Sequence, residues 1–237
     1  MEANLPLIIP DKPNNKAVIY LHPSDKAAEL SDGGEIEWFV RNGFTVLAPD
    51  LLGIGETGTD INPLSHSYVR NWFASILIGR SIVGIQAGDV VRLTRLLKDN
   101  LEMSDVYGIA RKEMAPVLLH AAAFDPAITR IALIEPYSSY RSIVMSRFYY
   151  PGFIYSTVAG ALEAYDLPDL AASLVPRKLM MAGITDGNNR HDEIEGIKKD
   201  MDIIRTAFQD KKADGQLNIV TGELIEKPFD LFMNWIK

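Results

Sequence analysis

Apolar runs of four to six residues alternate along the chain with stretches of helical period, and turn residues separate the two. That rhythm predicts a mostly parallel sheet covered by helices on both faces. The runs KAVIYL (16–21) and FTVLA (44–48) read as buried strands. Between them lies a helix with apolar positions Ile36, Phe39 and Val40, and Asn42-Gly43 marks its end. Further strands are expected at DVYG (105–108), IALIE (131–135), KLMMAG (178–183) and LNIV (217–220), for about six in all. Helices are expected at 81–97, 111–124, 167–174, 192–212 and 228–237. Residues 51–65, rich in Gly, Thr, Asp, Asn and Pro, read as a loop. No repeat or linker interrupts the pattern, so 1–237 is expected to form one unit, with an aromatic-rich insertion or cap at about 137–165.

Composition narrows the partners. The chain has 237 residues, with 24 Lys plus Arg against 31 Asp plus Glu, a formal charge of −7, so neither nucleic acid nor an anionic membrane surface is an expected partner. No apolar stretch approaches the ~20 residues of a membrane span. The chain contains no cysteine, which excludes disulfides, thiolate metal sites and a cysteine nucleophile.

Gly53, Gly55 and Gly58 have dinucleotide-fingerprint spacing, but TDINPLS follows with no helical period. The helix whose N-terminus would hold a pyrophosphate is missing, so these glycines read as a plain turn and no cofactor is expected. His120, mid-helix among Leu118, Leu119 and Ala121, reads as a satisfied packing residue, and His66 as a surface loop residue. His191 beside Asp192 and Glu193 is a single imidazole, too few for a metal site.

The segment from Tyr107 onward has a strand, a short turn at Ile109-Ala110-Arg111-Lys112 and a helix rich in small residues, the context of a nucleophile elbow, G-x-S-x-G, without its serine. Around it, KAVIYLHPSD, PDLLGIGETG, GRSIVGIQAGDVVRLTRLL and AYDLPDLAASLVPRKLMMAGITD together resemble the α/β-hydrolase superfamily, in its acetyl xylan esterase and dienelactone-hydrolase-like branch. The likeness is greatest to the C-terminal hydrolase-like unit of a two-unit esterase. It implies a three-layer αβα fold and a triad in the order nucleophile, acid, histidine. It places Ala110 at the nucleophile position, Asp186 at the acid and Glu223 in the turn that would carry the histidine, and no histidine follows His191. His22 falls on the oxyanion-hole turn. Arg111 is expected to open the post-elbow helix and, with His22 and Asp186, to line a site suited to a small carboxylate.

The resemblance therefore implies a degenerate carbohydrate-esterase-like unit, structural or ligand-binding, attached to an upstream catalytic hydrolase domain that acts on acetylated polysaccharide, and exported. The alternative is an active ester hydrolase with a non-standard nucleophile, for which Ser138 or Ser139 is the candidate. The aromatic residues from Tyr137 to Tyr155 are expected to cover the site, to stack on carbohydrate, to fill an interface with a neighbouring domain or to form a small core of their own.

Overall fold

The computed structural model describes residues 7–58, 66–191 and 195–237. In chain order the elements are β1 (Leu7–Ile8), β2 (Lys16–Leu21), α1 (Glu35–Arg41), β3 (Thr45–Leu47), α2 (His66–Leu77), α3 (Ile82–Arg95), β4 (Asp105–Arg111) and α4 (Ala115–Phe124). They continue as β5 (Ile128–Ile134), α5 (Tyr140–Met145), α6 (Leu167–Ala172), β6 (Lys178–Ala182), α7 (Glu195–Asp210), β7 (Leu217–Val220) and α8 (Phe229–Ile236). Among the described residues the sheet has seven strands in the order β1-β3-β2-β4-β5-β6-β7, all parallel except β1.

Period-two alternation splits the sheet's side chains between two cores. Ile19, Leu21, Ala110, Leu133 and Met181 pack under α3, α4, α6 and α7 on one face. Val18, Tyr20, Ile109, Ala132 and Met180 pack under α1 and α8 on the other. Helix α4 is buried from Ala115 to Ala122, which is why it is apolar all round. Its approach to β4 is close: a Cβ on Gly108 would lie 2.6 Å from Cδ1 of Leu118. Helix α3 starts where Ser81 Oγ accepts the Gly84 N–H at 3.0 Å.

Three expectations change. Two residues of antiparallel strand, β1, precede the first anticipated strand and pair with β3. His66 opens a helix, α2, rather than lying in a loop. Strand β4 runs on to Arg111, three residues beyond the expected end at Gly108, because Ile109 and Ala110 still pair with β5 as well as β2. The metal reading of His191 with Asp192 and Glu193, and the end of the expected 51–65 loop, fall outside the described residues. Among the described residues, no single helix is long and apolar enough to cross a membrane.

The glycine-rich turn has a structural reason. Gly55, at φ +52°, lies against Asp50, and a Cβ there would meet the carboxylate at 2.3 Å. Asp50 accepts the backbone N–H of Lys26 at 2.7 Å and of Glu56 at 3.1 Å, tying the turn after β3 to the turn after β2.

Candidate functional site

In an open parallel sheet, ligand sites lie beyond the carboxyl ends of the strands, where the strand order reverses. Here the order reverses between β2 and β4. His22 follows β2, Lys112 follows β4, Glu135 follows β5, Asp186 lies four residues beyond β6 and Glu223 three beyond β7, so all five belong to this edge.

The turn between β4 and α4 is built at Lys112. Its φ of +48° is left-handed, which a side-chain-bearing residue adopts at a cost, and the chain passes directly into a 3-10 turn, Lys112–Met114, and then into α4. This is the strand, strained apex and helix of a nucleophile elbow. The apex is therefore Lys112, not Ala110. Ala110 has no solvent exposure and lies inside β4, paired with Leu21 and Leu133. The elbow lies two residues beyond the expected position because β4 continues past Gly108 to Arg111.

Arg111 is likewise not the opening residue of a helix. It is the last residue of β4, and its side chain enters the face covered by α1. There Nη1 donates to Glu35 Oε1 at 2.6 Å and Nη2 to Glu135 Oε2 at 2.9 Å. Tyr20 donates its hydroxyl to the other Glu35 oxygen at 2.5 Å, and Glu29, itself 2.7 Å from Lys227 Nζ, lies 3.8 Å from Arg111. Glu35 is fully buried, and burial pushes its carboxyl upward against the pull of Arg111 and the Tyr20 bond. The guanidinium expected to receive a ligand is thus spent on carboxylates of the chain itself. Glu35 and Glu135 were not singled out in the sequence; the one signal for Glu135 is an acidic residue closing the apolar run IALIE.

Lys112 is half exposed, with Nζ 3.9 Å from Glu135 Oε2. Glu113 follows it, and burial raises the Glu113 carboxyl, opposed by a bond from its own backbone N–H and by Lys112. In a nucleophile elbow, that amide after the apex faces the oxyanion. His22 accepts the Ser24 N–H at Nδ1, 3.2 Å. Burial, with Arg111 and Lys112 nearby, holds its imidazole down at about 4, so it is neutral at pH 7.

Asp186 is buried, four residues beyond β6. Its carboxylate serves its own loop, accepting from the backbone N–H of Asn188 at 2.8 Å and of Arg190 at 2.9 Å. Glu223 is exposed, and the next residue, Leu224, turns in to the face of α1 and α8. Ser139 Oγ accepts the Ser142 N–H at 3.0 Å and caps α5, while Ser138 Oγ is buried without a hydrogen-bond partner among the described residues. His120 is satisfied on both ring nitrogens, Nδ1 with Pro116 O at 2.7 Å and Nε2 with Tyr165 Oη at 2.8 Å.

The aromatic segment divides in two. Tyr137, Tyr140, Phe153 and Tyr155 are buried, whereas Phe148 is 79% exposed. Residues 151–156 form a 3-10 turn packed against the turn 112–114, so part of this segment lies over the elbow.

A mostly parallel sheet, an elbow at the end of β4, an acidic residue after β6 and a segment over the edge define an α/β-hydrolase fold. No family model and no curated sequence matches the chain. Solved structures do. A Bacteroides fragilis protein assigned as an acetyl xylan esterase superposes with a TM-score of 0.71 at 16% identity, over 94% of this chain and 63% of its own. A Pyrococcus furiosus esterase gives 0.60 at 17% identity over 98% and 87%. A glucuronoyl esterase of carbohydrate esterase family 15 from Caldicellulosiruptor kristjansonii gives 0.60 at 13% identity over 98% and 71%. At these identities the likeness is one of fold, and this chain spans less than two thirds of the Bacteroides protein.

Proposed function

We propose that this chain is an esterase-like unit that does not hydrolyse esters itself and serves as a structural or ligand-binding part of a larger carbohydrate esterase. The observation that carries the reading is Lys112 at the apex of the elbow. Ester hydrolysis on this fold needs a hydroxyl or thiol at that apex and an imidazole after the last strand to take its proton. Here the apex bears an amine beside Glu135, the amide after it is engaged by Glu113, and the turn after β7 reads Thr221-Gly222-Glu223. The neighbours named for acetyl xylan and glucuronoyl esters support polysaccharide as the setting, and the greater length of the Bacteroides protein supports a larger parent protein, in which the proposal places a catalytic domain upstream. On the same reading residues 1–237 form one exported unit with 137–165 as its cap. A small carboxylate at this edge would meet Lys112 rather than Arg111.

The test is turnover of p-nitrophenyl acetate and of acetylated xylan by the purified chain. Release no faster than that from heat-denatured protein agrees with the proposal. Saturable turnover that survives repurification from an esterase-deficient host refutes it.

A further inference from the structure

Strand β7 is the last in the sheet order, and among the described residues it pairs with β6 alone. A groove of about 300 Å³ runs along its free side, lined by Leu217, Asn218 and Ile219 and, from α7, by Arg205. Successive strand residues point to opposite faces, so a groove that touches consecutive residues follows the strand's edge. The register fixes which main-chain groups meet it. Val220 O accepts the Gly183 N–H at 3.1 Å, which turns the N–H and C=O of Val220 and Asn218 towards β6. Those of Ile219 therefore point outward, together with the C=O of Leu217 and the N–H of Thr221, while the Leu217 N–H is taken by Asp214 O. No backbone hydrogen bond from another segment reaches these outward groups among the described residues. The stretch QLNIVT (216–221) also lacks the charges and prolines that guard a free edge, and only its shortness protects it.

We propose that the occupant of this edge is β7 of a second copy of the chain, running antiparallel about a two-fold axis at Ile219. Along the strand the outward groups are an acceptor at Leu217, a donor and an acceptor at Ile219 and a donor at Thr221. That order is its own complement when reversed: Ile219 N–H meets Ile219 O in both directions, and Thr221 N–H meets Leu217 O in both. The same axis sets the two α7 helices antiparallel on one face of the joined sheet. Arg205, at the groove, has Nη1 3.0 Å from Asp202 Oδ1, so Asp202 of each copy is opposed to Arg205 of the other. A two-fold closes the contact, so it yields a dimer and not a fibre. Strands β5 and β6 separate β7 from the elbow, which leaves Lys112 open in the dimer, and the pairing stands whether or not the chain hydrolyses esters.

The experiment measures the mass of the intact chain by sedimentation over about 1–200 µM, and amide hydrogen exchange at both ends of that range. A shift from monomer to dimer is expected, with a Kd of about 10 µM, as suits a short strand pair flanked by one helix. The Ile219 and Thr221 amides should exchange freely in the monomer and be protected in the dimer, while those of Asn218 and Val220, bonded to β6, are protected in both. Thr221→Pro removes an outward donor at an exposed position and should weaken the dimer about tenfold or more with no change in thermal midpoint. Arg205→Asp should weaken it about tenfold, and Arg205→Asp with Asp202→Arg should restore it. The proposal is overturned if the chain stays monomeric at the highest concentration, if its own residues already protect Ile219 and Thr221 in the monomer, if the dimer leaves them unprotected, or if Thr221→Pro dimerises as the parent does.

Discussion

Arg111 Nη1 lies 2.6 Å from Oε1 of Glu35, a carboxylate with no exposure to solvent. The pair ties the end of β4 to the start of α1 directly beneath the elbow, and Tyr20 and Glu135 complete it. Because neither charge is solvated by much water, the pair stands or falls as a unit.

Removing one member should therefore be costly. Arg111→Met is expected to lower unfolding free energy by about 3–5 kcal/mol, since it leaves the buried Glu35 carboxylate without its cation. Arg111→Met combined with Glu35→Gln should be more stable than Arg111→Met alone. Urea titrations of the parent, both single variants and the double variant measure the coupling, and additive losses would contradict it.

The loop carrying Asp186 is fastened to residues 142–150 by close backbone contact. A Cβ on Gly187 would lie 2.1 Å from Ser142 O, in the helix that follows Ser139, and Tyr150 donates its N–H to Gly187 O at 2.8 Å. Gly187→Ala should destabilise by about 1–3 kcal/mol, because backbone and not a flexible side chain must give way. Hydrogen exchange should localise the loosening to residues 140–150; protection equal to the parent's there would refute the contact.

His22 supplies a pH dependence with a definite sign. Its folded value near 4 lies below the ordinary 6.5, so the unfolded chain binds the extra proton between those values. The contribution is complete above pH 6.5, is lost as pH falls towards 4, and amounts to at most about 3 kcal/mol before solvent screening. His22→Asn should flatten stability over that window, and the ring carbon shifts of the parent should titrate near pH 4.

Much of the fold was legible because buried parallel strands and amphipathic helices write their period into the chain: β2 and β7 have the expected limits, and β5 and β6 begin or end within a few residues of theirs. The elbow was placed on the correct turn but on the wrong residue. A backbone dihedral has no composition signature when a lysine adopts it, and Gly108, needed for close approach to Leu118, imitated the first glycine of the motif. The role of Arg111 is hidden in the sequence for a related reason. Its partners Glu29, Glu35 and Glu135 come from three distant segments, and only the sheet order brings them together.

Serine substitutions separate the two elbow registers. Ala110→Ser puts a hydroxyl into a dry strand position and should cost about 1–3 kcal/mol with no gain in ester turnover. Lys112→Ser places the hydroxyl at the apex, yet alone should stay near background because no imidazole follows β7. Lys112→Ser with Glu223→His should be the more active of the elbow variants. Higher turnover from Ala110→Ser than from Lys112→Ser would return the apex to position 110.

The central claim is that an amine stands where this fold needs a nucleophilic hydroxyl, and intact-mass spectrometry after treatment with a serine-directed fluorophosphonate tests it most directly. The parent chain should remain unmodified under conditions that label a control serine esterase fully. A single stoichiometric adduct on the parent, mapped by peptide sequencing to Ser138, Ser139 or any other serine, would contradict the account.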